Sequence, residues 1–218
     1  MLSATQLATM LDLQDKMNKK VNPQWLTAGY RYLRAAMIES VEAIEHHGWK
    51  WWKAQSLDLP QVQMELVDIW HFALSHIIIE HKGDIDAAAK AINTALRSSH
   101  KALSFDGTQY NFTHQNLVEN LELMTGLCVA QRFDVSLFLC IIEQAEMDAN
   151  NLFEQYVGKN VLNFFRQDHG YKDGTYIKMW QNREDNEHLV DVMATLDSSQ
   201  EAYPETLYTL LSQRYPGA

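Results

Sequence analysis

Residues 65–72 read Glu65-Leu-Val-Asp-Ile-Trp-His-Phe72. Two carboxylates, Glu65 and Asp68, stand three residues apart in an apolar run, and such positions share one face of an α-helix. Earlier in the chain, Glu39-Ser-Val-Glu42 repeats the pattern in apolar surroundings. Carboxylates near a core repel one another and lose hydration, so they need a compensating cation. The two pairs therefore predict two packed helices that hold a cation between them.

The composition favours one mostly helical domain. The chain has 218 residues, of which 46% are hydrophobic and 21% charged, with four prolines and nine glycines. This is ordinary for a soluble globular protein. The formal net charge of −10 disfavours a nucleic-acid partner, because duplex binding usually needs a basic face. A small anionic ligand stays compatible with the sequence if positive charge is gathered locally.

Apolar residues at helical spacing predict an all-α bundle that covers residues 1–218 as a single domain. We expect helices at about residues 7–21, 27–47, 61–80, 84–98, 113–132 and 135–157, with a short one at 206–214. Residues 104–112 are expected to form a loop. Residues 159–186 are expected to form an irregular basic segment, because Gly170 and Gly174 interrupt any helix there.

Two cysteines, Cys128 and Cys140, match neither a zinc-binding spacing nor a disulfide framework. We expect them to be reduced in a cytoplasmic protein. Asp12 and Asp15 lie in the first apolar pattern, which excludes a secretory signal peptide. The longest apolar run, residues 69–79, is too short to span a bilayer, so no membrane partner is expected.

Four carboxylates on a rigid scaffold suit Mg²⁺, which prefers oxygen ligands and is often held together with substrate phosphates. The pattern therefore predicts a magnesium site for phosphate-ester chemistry. Acidic pairs can also be solvated helix faces, as at Glu119-x-x-Glu122 and Glu143-x-x-Glu146. A buried cluster paired with arginine is a second alternative.

The basic segment could supply the phosphate contacts. Four cations lie in it, namely Lys159, Arg166, Lys172 and Lys178, and two hydroxyl donors, Tyr171 and Tyr176. Such groups bind phosphate oxygens and stabilise charge as an anhydride breaks. Their acidic partners are not obvious nearby in the sequence, so we expect a mobile lid that becomes ordered over an anionic ligand. The chain has neither a P-loop nor a Gly-x-Gly-x-x-Gly turn.

Four stretches resemble the dimeric all-α dUTPases, which are related to MazG-like nucleotide pyrophosphohydrolases. The stretches begin with Leu13-Gln-Asp-Lys-Met-Asn18, then the first acidic pair with Gly48-Trp-Lys-Trp-Trp-Lys53, and then residues 65–72. The fourth is Gly158-Lys-Asn-Val-Leu-Asn-Phe-Phe-Arg-Gln167, followed by residues 170–180 and 184–186. The resemblance extends from about residue 11 to residue 189. A further Glu of the MazG pattern is Ile38 here, so the broader MazG assignment fits less well.

The resemblance implies a homodimer that hydrolyses dUTP, and also dUDP, to dUMP with Mg²⁺. The residues that match metal ligands are Glu39, Glu42, Glu65 and Asp68. The base and sugar pocket is matched by Gln14, Asn18 and a tryptophan, either Trp49 or Trp52. The phosphate-binding residues are matched by Lys159, Asn163, Arg166, Tyr171, Lys172 and Lys178. A carboxylate such as Glu42 could deprotonate the attacking water, and the amide of Gln14 or Asn18 could pair with the uracil edge.

Three other functions stay open. The same site could serve a different base, such as that of dCTP. A carboxylate-bridged di-iron bundle is a second possibility, although it typically uses Glu-x-x-His pairs, and the second acidic motif here has Asp68 instead. The third is a non-catalytic helical interaction module whose acidic pairs are surface features.

Overall fold

A computed structural model describes residues 2–98, 100–198, 200 and 202–216. Its helices are α1 (Ala4–Val21), α2 (Tyr32–His47), α3 (Leu59–Glu80), α4 (Ile85–Ser98), α5 (Leu117–Val129), α6 (Val135–Gln144), α7 (Ala149–Asp168), α8 (Asp185–Met193) and α9 (Tyr203–Arg214). A single 3₁₀ turn covers Trp25–Thr27. Two short hairpins pair β1 (Ala102–Phe105) with β2 (Thr108–Asn111), and β3 (Met179–Trp180) with β4 (Arg183–Glu184). The predicted all-α class is confirmed.

Local sequence sets the ends of the two site helices. Helix α2 ends at Gly48, whose φ of 83° is a conformation that glycine adopts without strain. The side chain of Asp58 accepts a hydrogen bond from the backbone of Gln61 and so caps α3. Pro60 occupies the first turn of α3, where its missing N–H costs nothing. These signals fix where the two acidic pairs stand in space.

Helix α3 is the centre of the core. Leu66, Ile69, Trp70 and Leu74 are fully buried, and the indole of Trp70 stacks on the ring of Phe138 in α6 at 5.0 Å. Helix α2 packs along α3, α5 covers α2, and α1 and α7 pack on one another and on α3. The acidic face of α2 is thereby set against α3, at the point where α7 also reaches it.

Helix α3 also tests the membrane argument made from the sequence. By length and composition it could cross a bilayer, and this corrects the inference drawn from the shorter run 69–79. In the folded chain 67% of that apolar window is buried, as in the central helix of a soluble bundle.

Two predicted elements were wrong. Residues 104–112 form most of a hairpin and not a loop, because Asp106 and Gly107 both take positive φ and close a tight two-residue turn. The predicted helix 135–157 is two helices. It breaks after Gln144, where Glu146 has a φ of 57°, and Asp148 then caps α7 through the backbone of Asn151.

The basic segment is also more regular than expected. Residues 159–168 are the C-terminal half of α7, because Gly158 lies inside the helix, against the sulfur of Met193 in α8, and does not end it. Gly170, with a φ of 84°, ends α7 instead. The chain then turns through β3 and β4 into α8, which the sequence analysis missed. The helix expected at 206–214 begins earlier, at Tyr203.

Candidate active site

The first part of the site is an acidic cluster between α2 and α3. Glu39, Glu42 and Glu65 each offer one carboxylate oxygen, and these oxygens all lie within 4.8 Å of one another. Glu65 is buried, Glu39 is half-buried and Glu42 is exposed. The structure thus brings together three of the four residues predicted as metal ligands.

The cluster is electrostatically incomplete on its own. Burial raises the pKa of Glu39 to about 8, and the charges of Asp68, Glu65 and Glu42 add to the effect. Burial and then the charge of Asp68 raise the pKa of Glu65 to about 7. Carboxylates crowded in this way either share protons or bind a cation. Oxygen donors at this spacing fit a hard divalent ion such as Mg²⁺.

The fourth predicted ligand, Asp68, lies one turn further along α3. Its Oδ2 accepts from the ammonium of Lys159, 2.9 Å away, and the Lys159 side chain is 9% exposed. His46 Nε2 lies 3.5 Å from Glu65 Oε1. A protein cation therefore already contacts the acidic cluster at Asp68, and Lys159 joins the predicted phosphate-binding residues to the predicted metal ligands.

Next to Asp68, a cavity of about 270 Å³ opens between α1, α2, α3 and α7. It is lined by Gln14, Met17, Asn18, Val21, Tyr30, Tyr32, Asp68, His71, Phe72 and Asn163. The rings of Tyr32 and Phe72 lie 6.5 Å apart and form apolar walls. A cavity with aromatic walls and a few convergent polar groups suits a nucleoside.

A buried hydrogen-bond network forms the polar side of this cavity. Ser75 Oγ donates to the carbonyl of His71 at 3.0 Å, and it accepts from Gln14 Nε2 and Asn18 Nδ2 at 2.9 Å each. Gln14 Nε2 also lies 3.2 Å from Asn18 Oδ1. Gln14 Oε1 accepts from the hydroxyl of Tyr156 at 2.7 Å. The amide of Gln14 is therefore fully used inside the protein.

His71 belongs to the same network, and it was not among the site residues predicted from the sequence. Its Nδ1 lies 2.8 Å from Gln14 Oε1, and its ring stacks on Tyr156 at 4.0 Å. Burial lowers the pKa of His71 to about 4, so the ring is neutral near pH 7. Nδ1 then carries the proton, and the buried Nε2 has no partner within the described residues. The only sequence signal was its place three residues after Asp68.

The cations of the basic segment have partners within the protein, although the sequence showed no obvious acidic partner nearby. Arg166 donates to both oxygens of the buried Asp185, at 2.8 and 2.9 Å, and to Asn163 at 3.2 Å. Tyr176 donates to Asp185 at 2.8 Å. Ionic and hydrogen-bonding partners hold the pKa of Asp185 below its usual range, against the effect of burial. These partners are distant in sequence from Arg166 and were not anticipated.

The other predicted phosphate-binding residues are more open to solvent. Lys172 donates to the carbonyl of Val21 at 3.0 Å, and Lys178 pairs with Glu184 at 3.0 Å. Tyr171 is 48% exposed and lies 5.6 Å below the guanidinium of Arg166. These residues lie between α7 and α8, and they are already engaged within the protein.

The predicted stacking tryptophans do not lie in the cavity. Trp49 and Trp52 follow the far end of α2, where Trp49 donates to Glu45 Oε1 at 2.7 Å. Trp49, Trp51 and Trp52 contact one another edge to face and are 40%, 86% and 58% exposed. Within one copy of the chain, therefore, these indoles do not line the cavity next to Asp68.

Comparison with known proteins agrees with this arrangement. A family model described as dUTPase matches residues 6–171, a range that contains the acidic cluster, the cavity and Lys159. No curated protein matches the chain significantly. Because the family model covers most of the chain, and because the matched residues hold an acidic cluster beside a nucleoside-sized cavity, the chain belongs to the dUTPase family and is a dUTP diphosphatase.

Proposed function

We propose that the protein hydrolyses dUTP, and also dUDP, to dUMP with Mg²⁺ as its cofactor, and that it acts as a cytoplasmic homodimer. The observation that carries the choice of uracil is the orientation of Asn18. Ser75 donates its one hydroxyl hydrogen to the carbonyl of His71, so Ser75 Oγ can only accept hydrogen bonds from its other neighbours. Gln14 and Asn18 must therefore both turn their NH₂ groups toward Ser75.

This orientation leaves Asn18 with one lone pair on Oδ1 and one amide hydrogen for a ligand. Uracil presents an N3–H donor beside an O4 acceptor, which is the complement of that pair. Cytosine presents an acceptor and a donor in the reverse order, and Asn18 cannot flip to meet them without breaking its bonds to Ser75 and Gln14. A buried polar group left unpaired by the wrong base discriminates strongly. The network supports dUTP over the alternative dCTP.

The acidic cluster supports magnesium. Glu39, Glu42, Glu65 and Asp68 would hold the ion, which when bound neutralises phosphate charge and lowers the pKa of water. Glu42 is the most exposed carboxylate of the cluster, so it can orient the attacking water and accept its proton. Lys159 projects from α7 and contacts Asp68, so its ammonium can also donate to phosphate oxygens. Arg166 has one Nη1 hydrogen beyond its bonds to Asp185, Asn163 and Asn186 for the same purpose.

The remaining parts of the proposal have indirect support. Burial raises the pKa of Cys128 to about 12 and also raises that of Cys140, which suits the inert, reduced thiols of a cytoplasmic protein. The homodimer is supported by the resemblance to dimeric dUTPases and by the exposed indoles of Trp49, Trp51 and Trp52.

A nucleotide panel tests the proposal. Purified protein is incubated with dUTP, dUDP, dCTP, dTTP and UTP, with Mg²⁺ or with EDTA, and pyrophosphate and phosphate are measured separately. We expect pyrophosphate from dUTP and phosphate from dUDP, both only with Mg²⁺. Asp68→Ala and Glu65→Ala should abolish turnover while the circular dichroism spectrum is kept. Near-normal turnover of Asp68→Ala at saturating Mg²⁺ would show that the ligand assignment is wrong.

A further inference from the structure

A second cavity opens between α4, α6 and the end of β2, and none of the site residues predicted from the sequence lines it. Its volume is about 260 Å³, below the roughly 300–1,000 Å³ of pockets that take drug-sized ligands. Its apolar walls are formed by Leu96, Phe112 and Leu139. Ser136 and His100 also line it. The cavity therefore has room for a small, partly apolar molecule beside a hydroxyl and an imidazole.

Ser136, His100 and Asp134 form a chain of polar contacts beside this cavity. The hydroxyl oxygen of Ser136 lies 3.4 Å from Nδ1 of His100, and Nε2 of His100 lies 2.8 Å from Oδ2 of Asp134. Ser136 is 6% exposed, and within the described part of the chain its hydroxyl has no partner other than this ring. A nucleophile next to a base, with the base held by a third group, is the arrangement that nucleophilic catalysis requires.

The position of each proton in this chain follows from the carboxylate at its end. An ionised carboxylate can only accept hydrogen bonds, so Nε2 of His100 carries the ring proton and donates it to Asp134. In the neutral ring Nδ1 then has a free lone pair, to which the hydroxyl of Ser136 donates. The ring of Phe112 meets the imidazole edge to face at 5.8 Å and helps to fix its plane. His100 is thus set to accept the proton of Ser136.

The first turn of α6 supplies the other parts of the arrangement. Asp134 caps this helix, since its Oδ1 accepts from the backbone of Leu137 at 2.8 Å, and Oδ2 is left for His100. The backbone N–H groups of Val135 and Ser136 find no acceptor among the described residues. Such donors stabilise the oxyanion that forms when a nucleophile attacks a carbonyl group. Nucleophile, orienting carboxylate and N–H donors therefore lie together on three consecutive residues.

We propose that this cavity is a second hydrolytic site, which cleaves small carboxylic esters with short acyl chains. Ser136 Oγ attacks the carbonyl carbon of the ester while its proton passes to Nδ1 of His100. The bond from that carbon to the alcohol oxygen breaks, and the alcohol leaves with the proton. Water then attacks the acyl-serine and gives a proton to Nδ1, the bond from carbon to Oγ breaks, and Oγ regains the proton. Ester and water thus yield acid and alcohol.

Cys140 is a competing nucleophile, because it lies one turn after Ser136 and lines the same cavity. Its thiol donates to the carbonyl of Phe112 at 3.6 Å, and burial raises the pKa of Cys140. A thiol that stays protonated is a poor nucleophile. The acyl group is therefore assigned to Ser136, for which His100 is the base, while Asp134 positions His100.

Covalent labelling tests the nucleophile directly. Folded wild-type protein is treated with diisopropyl fluorophosphate, which phosphorylates an activated serine and releases fluoride, and the modified residue is located by peptide mass spectrometry. We expect one label, on Ser136, and labelling of His100→Asn that is slower by about tenfold or more, because the base is lost. A label on Cys140 or on any other residue, or no label, would overturn the proposal.

Hydrolysis of p-nitrophenyl acetate and p-nitrophenyl butyrate tests turnover. We expect Ser136→Ala and His100→Asn each to lower kcat about 100-fold or more. The double variant should lose no more than either single variant, because groups that act as a unit are not additive. Thr113→Val is the matched control, since it removes another hydroxyl that lines the cavity, and it should keep the wild-type rate. Equal rates in Ser136→Ala and Thr113→Val would overturn the proposal.

The positioning role of Asp134 has its own test. Asparagine also caps helices, so Asp134→Asn keeps the cap but removes the carboxylate that orients the ring. We expect kcat for the esters to fall about tenfold or more with KM unchanged, and an unchanged kcat would contradict this role. Hydrolysis of dUTP should stay at the wild-type rate in all of these variants. The ester site and the proposed dUTP chemistry can therefore fail independently.

Discussion

The ammonium of Lys159 lies 2.9 Å from Oδ2 of Asp68, so α7 supplies a cation to the acidic cluster formed by α2 and α3. The attraction of Lys159 also opposes the rise in the pKa of Glu65. One side chain thus offsets part of the repulsion among the carboxylates before any metal is bound. It follows that Lys159 and a divalent ion compete for the same negative charge.

Replacing Lys159 tests this competition. In Lys159→Gln the internal cation is lost, so at pH 8.5, where the carboxylates are ionised, we expect half-saturation at a several-fold lower Mg²⁺ concentration. The KM for dUTP should rise in the same variant, because a phosphate donor is lost. Thermal unfolding across a Mg²⁺ titration measures the first effect, and initial rates measure the second. Lys90→Gln, an exposed lysine on α4, is the control. If Lys159→Gln and Lys90→Gln reached half-saturation at the same Mg²⁺ concentration, competition between Lys159 and Mg²⁺ would be contradicted.

The stability of the metal-free protein should fall as the pH rises. The pKa values of Glu39 and Glu65 are about 8 and about 7 in the folded chain, against 4.5 for an ordinary Glu. Between pH 4.5 and pH 8 the folded state therefore binds more protons than the unfolded state, and the free energy of unfolding decreases as those protons leave. Denaturant unfolding in EDTA at pH 6 and pH 8.5 measures the difference.

Glu39→Gln should flatten this pH dependence, because it removes the carboxylate with the larger pKa shift. Saturating Mg²⁺ should reduce the loss of unfolding free energy at pH 8.5 in the wild-type protein, since an ion that binds the folded state adds stability. A wild-type protein that is as stable in EDTA at pH 8.5 as at pH 6 would show that the carboxylates are not crowded in solution.

The buried pair Arg166–Asp185 should be the most sensitive ionic contact. Asp185→Asn leaves the guanidinium of Arg166 buried with a neutral partner, and we expect a loss of about 3 kcal/mol in the free energy of unfolding. The matched control is Asp191→Asn on the same helix, since Asp191 is exposed and pairs with Arg183 at 2.6 Å. It should change stability little, because solvent screens surface pairs. Equal unfolding midpoints for the two variants would contradict a structural role for Asp185.

The features that could be predicted from the sequence are those that depend on the local pattern of residues. Helix periodicity located α2 and α3, and the i, i+3 spacing placed Glu39 and Glu42 on one face of α2, opposite Glu65. Positive φ at Asp106 and Glu146 was not anticipated, because a residue other than glycine in that conformation leaves only a weak sequence signal. The hairpin and the break between α6 and α7 were missed for this reason.

Contacts between distant segments could not be predicted from the sequence. Arg166 and Asp185 are 19 residues apart, and the Gln14 amide meets Ser75 and Tyr156 across separations of 61 and 142 residues. No pattern in the neighbouring residues indicates which distant residue such a side chain will contact. The expectation that Arg166 has no acidic partner was wrong because it counted only acidic residues near Arg166 in sequence, whereas packing of α8 on α7 supplies Asp185. The mobility of the segment stays a prediction.

Ser75 should govern the choice of base although it lies behind the residues that face the cavity. Its hydroxyl accepts from both amides and donates to the carbonyl of His71. Ser75→Ala therefore removes one of the two hydrogen bonds that fix the orientation of the Asn18 amide, and only the bond from Gln14 Nε2 remains. We expect the ratio of kcat/KM for dUTP to that for dCTP to fall about tenfold or more, since misplaced buried donors cost about 1–3 kcal/mol.

The control for Ser75→Ala is Ser40→Ala. Ser40 is another buried helix serine, and its hydroxyl likewise donates to the carbonyl one turn earlier, at 2.7 Å from Ala36 O, but it accepts from no amide in the described network. The two variants lose the same kind of backbone contact, and only Ser75→Ala should change the dUTP to dCTP ratio. Rates with both nucleotides at saturating Mg²⁺ measure it. An unchanged ratio in Ser75→Ala, with the amides of Gln14 and Asn18 intact, would show that base selection does not depend on the orientation of Asn18.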